Sequence, residues 1–171
     1  RYTTPTCHER LIVRRAQCQK GPVSERKIRM SGFTGGCLCG GVRYHSGQDP
    51  IVTINCHCDD CRRSTGAVFS TNVMVAEDGM EVTGEVRTYQ HSADSGNVMT
   101  KSFCPTCGAL LFGTSSGRHN VVSIRAGTID DETKITPAIN VFLDRRIPTT
   151  QIDEALVGWP RMPANKPWET S

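Results

Sequence analysis

The chain has 171 residues, enough for one domain with a core of its own. Apolar residues make up 37%, and no run approaches the roughly 18 that a membrane-spanning helix needs, so the sequence reads as that of a soluble, cytoplasmic protein with no membrane partner. The net charge of +3 hides an asymmetry: residues 1–29 hold eight Lys/Arg against two Asp/Glu, the remainder 12 against 15, and a mildly acidic remainder argues against a nucleic-acid-binding core.

Residues 1–29 read as a basic arm without sustained periodicity, expected to be disordered; Cys7 and Cys18 stand alone in it and are expected to ligate nothing. Residues 30–145 read as the folded domain. Short β-type runs fall at 41–45, 51–55, 68–75, 80–82, 86–91, 98–103, 109–113, 121–126 and 138–143. Turn signals at Glu77-Asp78-Gly79, Thr83-Gly84 and Ser95-Gly96-Asn97 separate several of them, which suits antiparallel hairpins. A helical turn is expected at 59–64 and a short helix at 149–155. Residues 146–171 are rich in proline and read as an irregular tail laid over the domain.

Seven of the nine cysteines lie in three tight clusters: Cys37 and Cys39; Cys56, Cys58 and Cys61; Cys104 and Cys107. Cysteines this close in sequence are poorly placed to bridge one another, because a disulfide requires a particular Cα separation and dihedral. Their thiolates can converge on one metal ion, with tetrahedral zinc the usual outcome. Phe103-Cys104-Pro105-Thr106-Cys107-Gly108 has the form of a zinc knuckle, its glycine permitting a positive φ after the second ligand. Cys37-Leu38-Cys39, flanked by glycines, is a half-site that needs a partner. Joined to Cys104 and Cys107 it makes a closed four-sulfur site, expected to be structural. Cys56, Cys58 and Cys61 then form a second, more labile zinc site with an open position for water or a substrate thiol.

His57 lies between two of these ligands and is read as pointing away, while His45, His91 and His119 are isolated and read as strand or loop residues. Arg62 and Arg63 follow the second cluster directly and are candidate substrate-binding residues, able to grip carboxylates or to offset thiolate charge. No general acid is evident; Asp59 and Asp60 are the nearest carboxyls in sequence.

Three motifs in order, Gly35-Gly36-Cys37-Leu38-Cys39-Gly40-Gly41-Val42-Arg43-Tyr44, then Cys56-His57-Cys58 with Cys61-Arg62-Arg63 and Gly66-Ala67, then Phe103-Cys104-Pro105 with Cys107-Gly108, resemble the glutathione-dependent formaldehyde-activating enzyme family, which also includes centromere protein V. The resemblance covers about residues 31–145. It implies a mainly β, β-tent fold of antiparallel sheets stapled by two zinc-cysteine sites, with the same division of the seven cysteines, and glutathione near the second site. The implied activity is that of a carbon-sulfur lyase acting on glutathione adducts of formaldehyde or small aldehydes. The alternative is a non-catalytic, zinc-stabilised binding module. Family members often carry a Trp shortly after the last strand; this chain has Thr149 near that place.

Overall fold

Period-two alternation of buried and exposed side chains organises the chain into short strands. The structure is a computed structural model that describes residues 32–166 and residue 168; the basic arm 1–29, with Cys7 and Cys18, lies outside the described residues. Eleven strands are described: β1 (Phe33–Gly36), β2 (Arg43–Ser46), β3 (Val52–Cys56), β4 (Ser70–Ala76), β5 (Met80–Thr83), β6 (Arg87–Ser92), β7 (Val98–Phe103), β8 (Leu110–Ser115), β9 (Val121–Arg125), β10 (Pro137–Val141) and β11 (Val157–Gly158). One helix, α1 (Asp59–Thr65), follows β3. The protein is mainly β, as its sequence predicts.

The strands form a three-stranded sheet in the order β1-β2-β5 and an eight-stranded sheet in the order β11-β10-β3-β4-β9-β8-β7-β6. Most pairs are antiparallel hairpin neighbours, but β10 runs parallel to both β3 and β11. The large sheet is therefore mixed where antiparallel pairing was expected, because β10 returns to the edge of β3 across the whole β4–β9 ribbon. Two strands went unpredicted. β1 is half glycine, and β11 is only two residues long. The helix expected at 149–155 is absent: the chain there makes isolated turns, with the Asp153 carboxylate accepting from the Ala155 amide at 2.9 Å.

Alternation along the central strands splits the interior in two. Val73 and Val75 of β4, Leu111 and Phe112 of β8, and Val122 and Ile124 of β9 meet Phe33, Val42 and Tyr44 of the small-sheet region in the main core. Tyr44 and Phe112 pack edge-to-face with ring centroids 5.2 Å apart. The Tyr44 hydroxyl shares a 2.9 Å hydrogen bond with Thr128, and burial pushes its pKa up to about 12. On the opposite face of the large sheet, Ile54, Met74, Val121 and Val141 form a smaller cluster, against which Phe142, Met162 and Trp168 pack.

Ile124 is fully buried between the sheets. Ile124→Ala is expected to cost about 2–5 kcal/mol of unfolding free energy, whereas Thr88→Ala on the exposed edge strand β6 should stay within about 0.5 kcal/mol. Chemical denaturation midpoints of the two variants provide the check.

Candidate functional site

Cys37 and Cys39 lie in the turn from β1 to β2, Cys104 and Cys107 in the turn from β7 to β8. Two turns of similar design bring them together. The Gly40 amide bonds back to the Cys37 carbonyl at 3.1 Å, and the Gly108 amide to the Cys104 carbonyl at 2.9 Å. Each of these glycines follows the second cysteine of its turn in the left-handed region, at φ 75° and 71°. The Val42 amide points at the Cys37 sulfur, 3.2 Å away. Sulfur separations are 3.5 Å for Cys37–Cys39 and 3.8 Å for Cys39–Cys104, and all four sulfurs lie within 4.8 Å of one another. Backbone amides of Ala109 and Cys39 lower the Cys107 thiol to about 6. The Gly41 amide favours ionised Cys39, but Cys37 and Cys107 together push it up to about 11. The four sulfurs together are a donor set that could hold a metal ion.

The second cluster is built by the end of β3 and the start of α1. Cys56 is the last residue of β3, Cys58 is the N-cap of α1, and Cys61 sits in the first turn. The Cys58 sulfur accepts from the Cys61 amide at 3.4 Å and lies 3.4 Å from the Cys56 sulfur. Hydrogen bonds from Cys56 and Cys58 hold Cys61 well below the ordinary thiol range, aided by the charges of Arg125 and Lys101. Cys56, which shares those bonds, is pushed up. These three sulfurs also lie within 4.8 Å of one another and could hold a metal ion. The seven cysteines of these clusters form no disulfide.

The two clusters differ in surroundings. The four-sulfur cluster packs on the main core. The three-sulfur cluster opens on a cavity of about 440 Å³, on the face of the large sheet opposite that core. The alternation that hides Val73, Val122 and Ile124 turns Asn72, Met74, Ser123 and Arg125 towards this cavity. Lys101 of β7, Arg118 of the β8–β9 loop, Phe142, Met162 and Trp168 complete its walls.

Charge in the cavity is unevenly matched. Arg125 is almost wholly buried, and it donates through Nη1 to the Asn72 side-chain oxygen in a short contact. Lys101 donates from Nζ to the Asp60 carbonyl at 2.9 Å, and burial pushes its pKa down. Arg118 lies with Cζ 5.6 Å from the Trp168 ring centroid. Among the described residues none of these three cations pairs with a carboxylate. Asp59 is held below the usual carboxylate range by Arg62 beside it, at 2.7 Å, and Arg145 adds a second contact at 3.6 Å.

The candidates from sequence therefore separate. Arg62 and Arg63 are not among the residues that line the cavity; Arg62 is engaged with Asp59. His57 is fully buried, with Nε2 3.4 Å from the Asn140 oxygen and its ring 5.0 Å from Phe69. His91, read from sequence as a strand or loop residue, does line the cavity, with Nδ1 3.7 Å from Asp60 and a buried Nε2 that has no hydrogen-bond partner among the described residues. Lys101, Arg118 and Arg125 went unrecognised, since each is a single basic residue in or beside an ordinary strand. Thr149 leaves no aromatic near the expected place, but Phe142 and Trp168 supply aromatic lining from other positions.

A family model for the glutathione-dependent formaldehyde-activating enzyme matches residues 32–145. The chain belongs to that family. The match takes in all seven clustered cysteines and stops short of Met162 and Trp168. No curated protein matches the chain. A solved structure of a Rhodobacter sphaeroides protein is similar, with 16% identity, a TM-score of 0.46, and coverage of 74% of this chain and 98% of that one. No helix among the described residues is long and apolar enough to cross a membrane.

Loss of Cys104 removes one sulfur from the cluster that joins the two sheets. In metal-loaded protein, Cys104→Ser is expected to unfold the domain, since a structural metal supplies on the order of 10 kcal/mol in small metal domains. Cys58→Ser is expected to remain folded. Circular dichroism melts that coincide for the two variants would contradict this division.

Proposed function

We propose that the protein is a zinc-dependent, carbon-sulfur lyase-like enzyme acting on adducts of glutathione, or another small thiol, with formaldehyde or small aldehydes. The observation that carries this reading is the three-sulfur cluster at the wall of an apolar and cationic cavity, in a chain of this family. In this reading Cys37, Cys39, Cys104 and Cys107 hold a structural zinc and Cys56, Cys58 and Cys61 a second, more labile one. Residues 30–145 are then the working domain, with 146–171 laid over it. Seven unpaired thiols suit a reducing, cytoplasmic setting.

A zinc ion on three thiolates would supply a positive, open coordination position that keeps a thiol ionised at neutral pH. The overall change is an addition without net oxidation. A bond forms between the thiol sulfur and the carbonyl carbon, the carbonyl π bond becomes a hydroxyl, and the thiol proton ends on that oxygen. The reverse reaction releases thiol and aldehyde. The chain's own residues shape this change. Lys101 and Arg125 act electrostatically on Cys61 and so favour negative sulfur in the cavity. Met162, Phe142 and Trp168 cover the site with apolar surface, which limits water and strengthens those charges.

Because thiol and formaldehyde also combine unaided, the measurement is exchange between free and adduct formaldehyde by NMR at equilibrium. Purified protein is expected to accelerate exchange, and Cys58→Ser to remove that acceleration while still folded. Mild chelation should release about one metal equivalent first, in line with three ligands against four. No acceleration by metal-replete protein would leave the binding-module reading in its place.

A further inference from the structure

The cavity carries more positive charge than its sulfur cluster can use. Its lining holds six Lys/Arg against three Asp, so positive charge remains even beside three ionised thiols and one divalent ion, and Lys101, Arg118 and Arg125 make no ion pair with a carboxylate of the described residues. Arg125 is the inner cation; burial pushes it down from the ordinary guanidinium range, and the thiols of Cys61, Cys56 and Cys58 oppose that shift. Lys101 is tied to the Asp60 carbonyl. Arg118 is the outer one. Burial, and then the neighbouring Arg125 charge, push it down from the ordinary guanidinium range. Among the described residues its side chain makes one long hydrogen bond, from Nη1 to the Met74 sulfur at 3.8 Å, and none of its nitrogens is both buried and unpaired. The residue lines the cavity, and its guanidinium has no carboxylate partner among the described residues.

What holds Arg118 there comes from outside the family match. Strand β11 hangs the C-terminal segment on β10, with the Trp159 amide donating to the Asn140 carbonyl at 2.8 Å. Arg161 bridges Asp144 at 3.0 Å. From this anchorage the chain runs on to Met162 and Trp168 at the cavity wall, where the Trp168 ring lies against the Arg118 guanidinium. An aromatic face attracts the cation and shields it from water, yet it can accept none of the in-plane N–H bonds that a carboxylate takes two at a time.

We infer that Arg118, held against Trp168, is an anion subsite that selects thiols and thiol adducts bearing a carboxylate, and that the segment beyond residue 145 thereby sets substrate choice. This rests on the thiol-adduct reading above. The thiol end lies toward the sulfur cluster and the carboxylate end toward Arg118, so a small neutral thiol occupies only the first part.

Titration calorimetry on the full, metal-loaded chain tests this with two probes. S-methylglutathione has the carboxylates but no thiol, and 2-mercaptoethanol has the thiol but no charge. Arg118→Gln is expected to weaken S-methylglutathione by about tenfold or more, as loss of a charged hydrogen-bonding partner does, and to leave 2-mercaptoethanol within about twofold. Arg118→Lys should weaken it less than Gln, since the charge remains without the fork. Trp168→Leu should also weaken S-methylglutathione and spare 2-mercaptoethanol. Thermal melts of each variant separate these effects from misfolding, and Arg118→Lys serves if the Gln variant melts early. Wild-type protein that does not bind S-methylglutathione, or Arg118→Gln that binds it undiminished, overturns the subsite. Dependence on Arg118 together with no binding of 2-mercaptoethanol overturns the thiol reading and leaves the subsite standing.

Discussion

The convergence of four sulfurs from two distant turns is the constraint on which the rest of the structure depends. Cys37 and Cys39 belong to the small sheet, Cys104 and Cys107 to the large one. The small sheet has three strands of four residues each, too little surface to hold itself in place by packing alone. Fixing its first turn against the β7–β8 turn sets how Phe33, Val42 and Tyr44 meet Leu111 and Phe112. A metal held at this point would add folding free energy where the hydrophobic contribution is least.

Once one face of the large sheet is committed to that core, the other face follows from the pleat. Residues one place along from Val73, Val122 and Ile124 have no choice of side. Met74, Ser123 and Arg125 therefore stand on the cavity face together, although two different strands supply them. The short loop through Cys58 into α1 lays the second sulfur cluster beside them. The reactive groups are thus placed by backbone geometry shared with the core, and a slip of one residue in β4 or β9 would bury the wrong set.

This division also explains what was legible in the sequence. The cysteine clusters could be read because their members are local: spacing alone brings two or three sulfurs together. Strand positions could be read wherever alternation and turn glycines were clear, as from β2 to β9. Lys101, Arg118 and Arg125 could not, because each is separated from Cys56, Cys58 and Cys61 by more than thirty residues and nothing local distinguishes it from a surface cation. Arg62 and Arg63 drew attention by adjacency to Cys61, yet on a helix adjacency sends neighbouring side chains in different directions, and Asp59 one turn back takes Arg62. The parallel β10–β3 pair was hidden for a related reason, since register between strands eighty residues apart has no local signature.

Separation between cluster and cation has a chemical consequence. Ligands to a metal must be close in sequence or rigidly held, because their geometry is exacting. Groups that recognise the remainder of a substrate need only line the same cavity, and they can come from any element that reaches it. In this chain one wall of the cavity comes from the stretch after residue 145, beyond the segment that carries the family's sulfur motifs. On the proposed reading, chemistry at the sulfur cluster and recognition at Arg118 and Trp168 can then vary independently. On that reading, substitutions at the cavity-lining end of the tail would change which thiol is admitted without disturbing a single sulfur, while the pairing of β11 with β10 keeps the tail anchored to the large sheet.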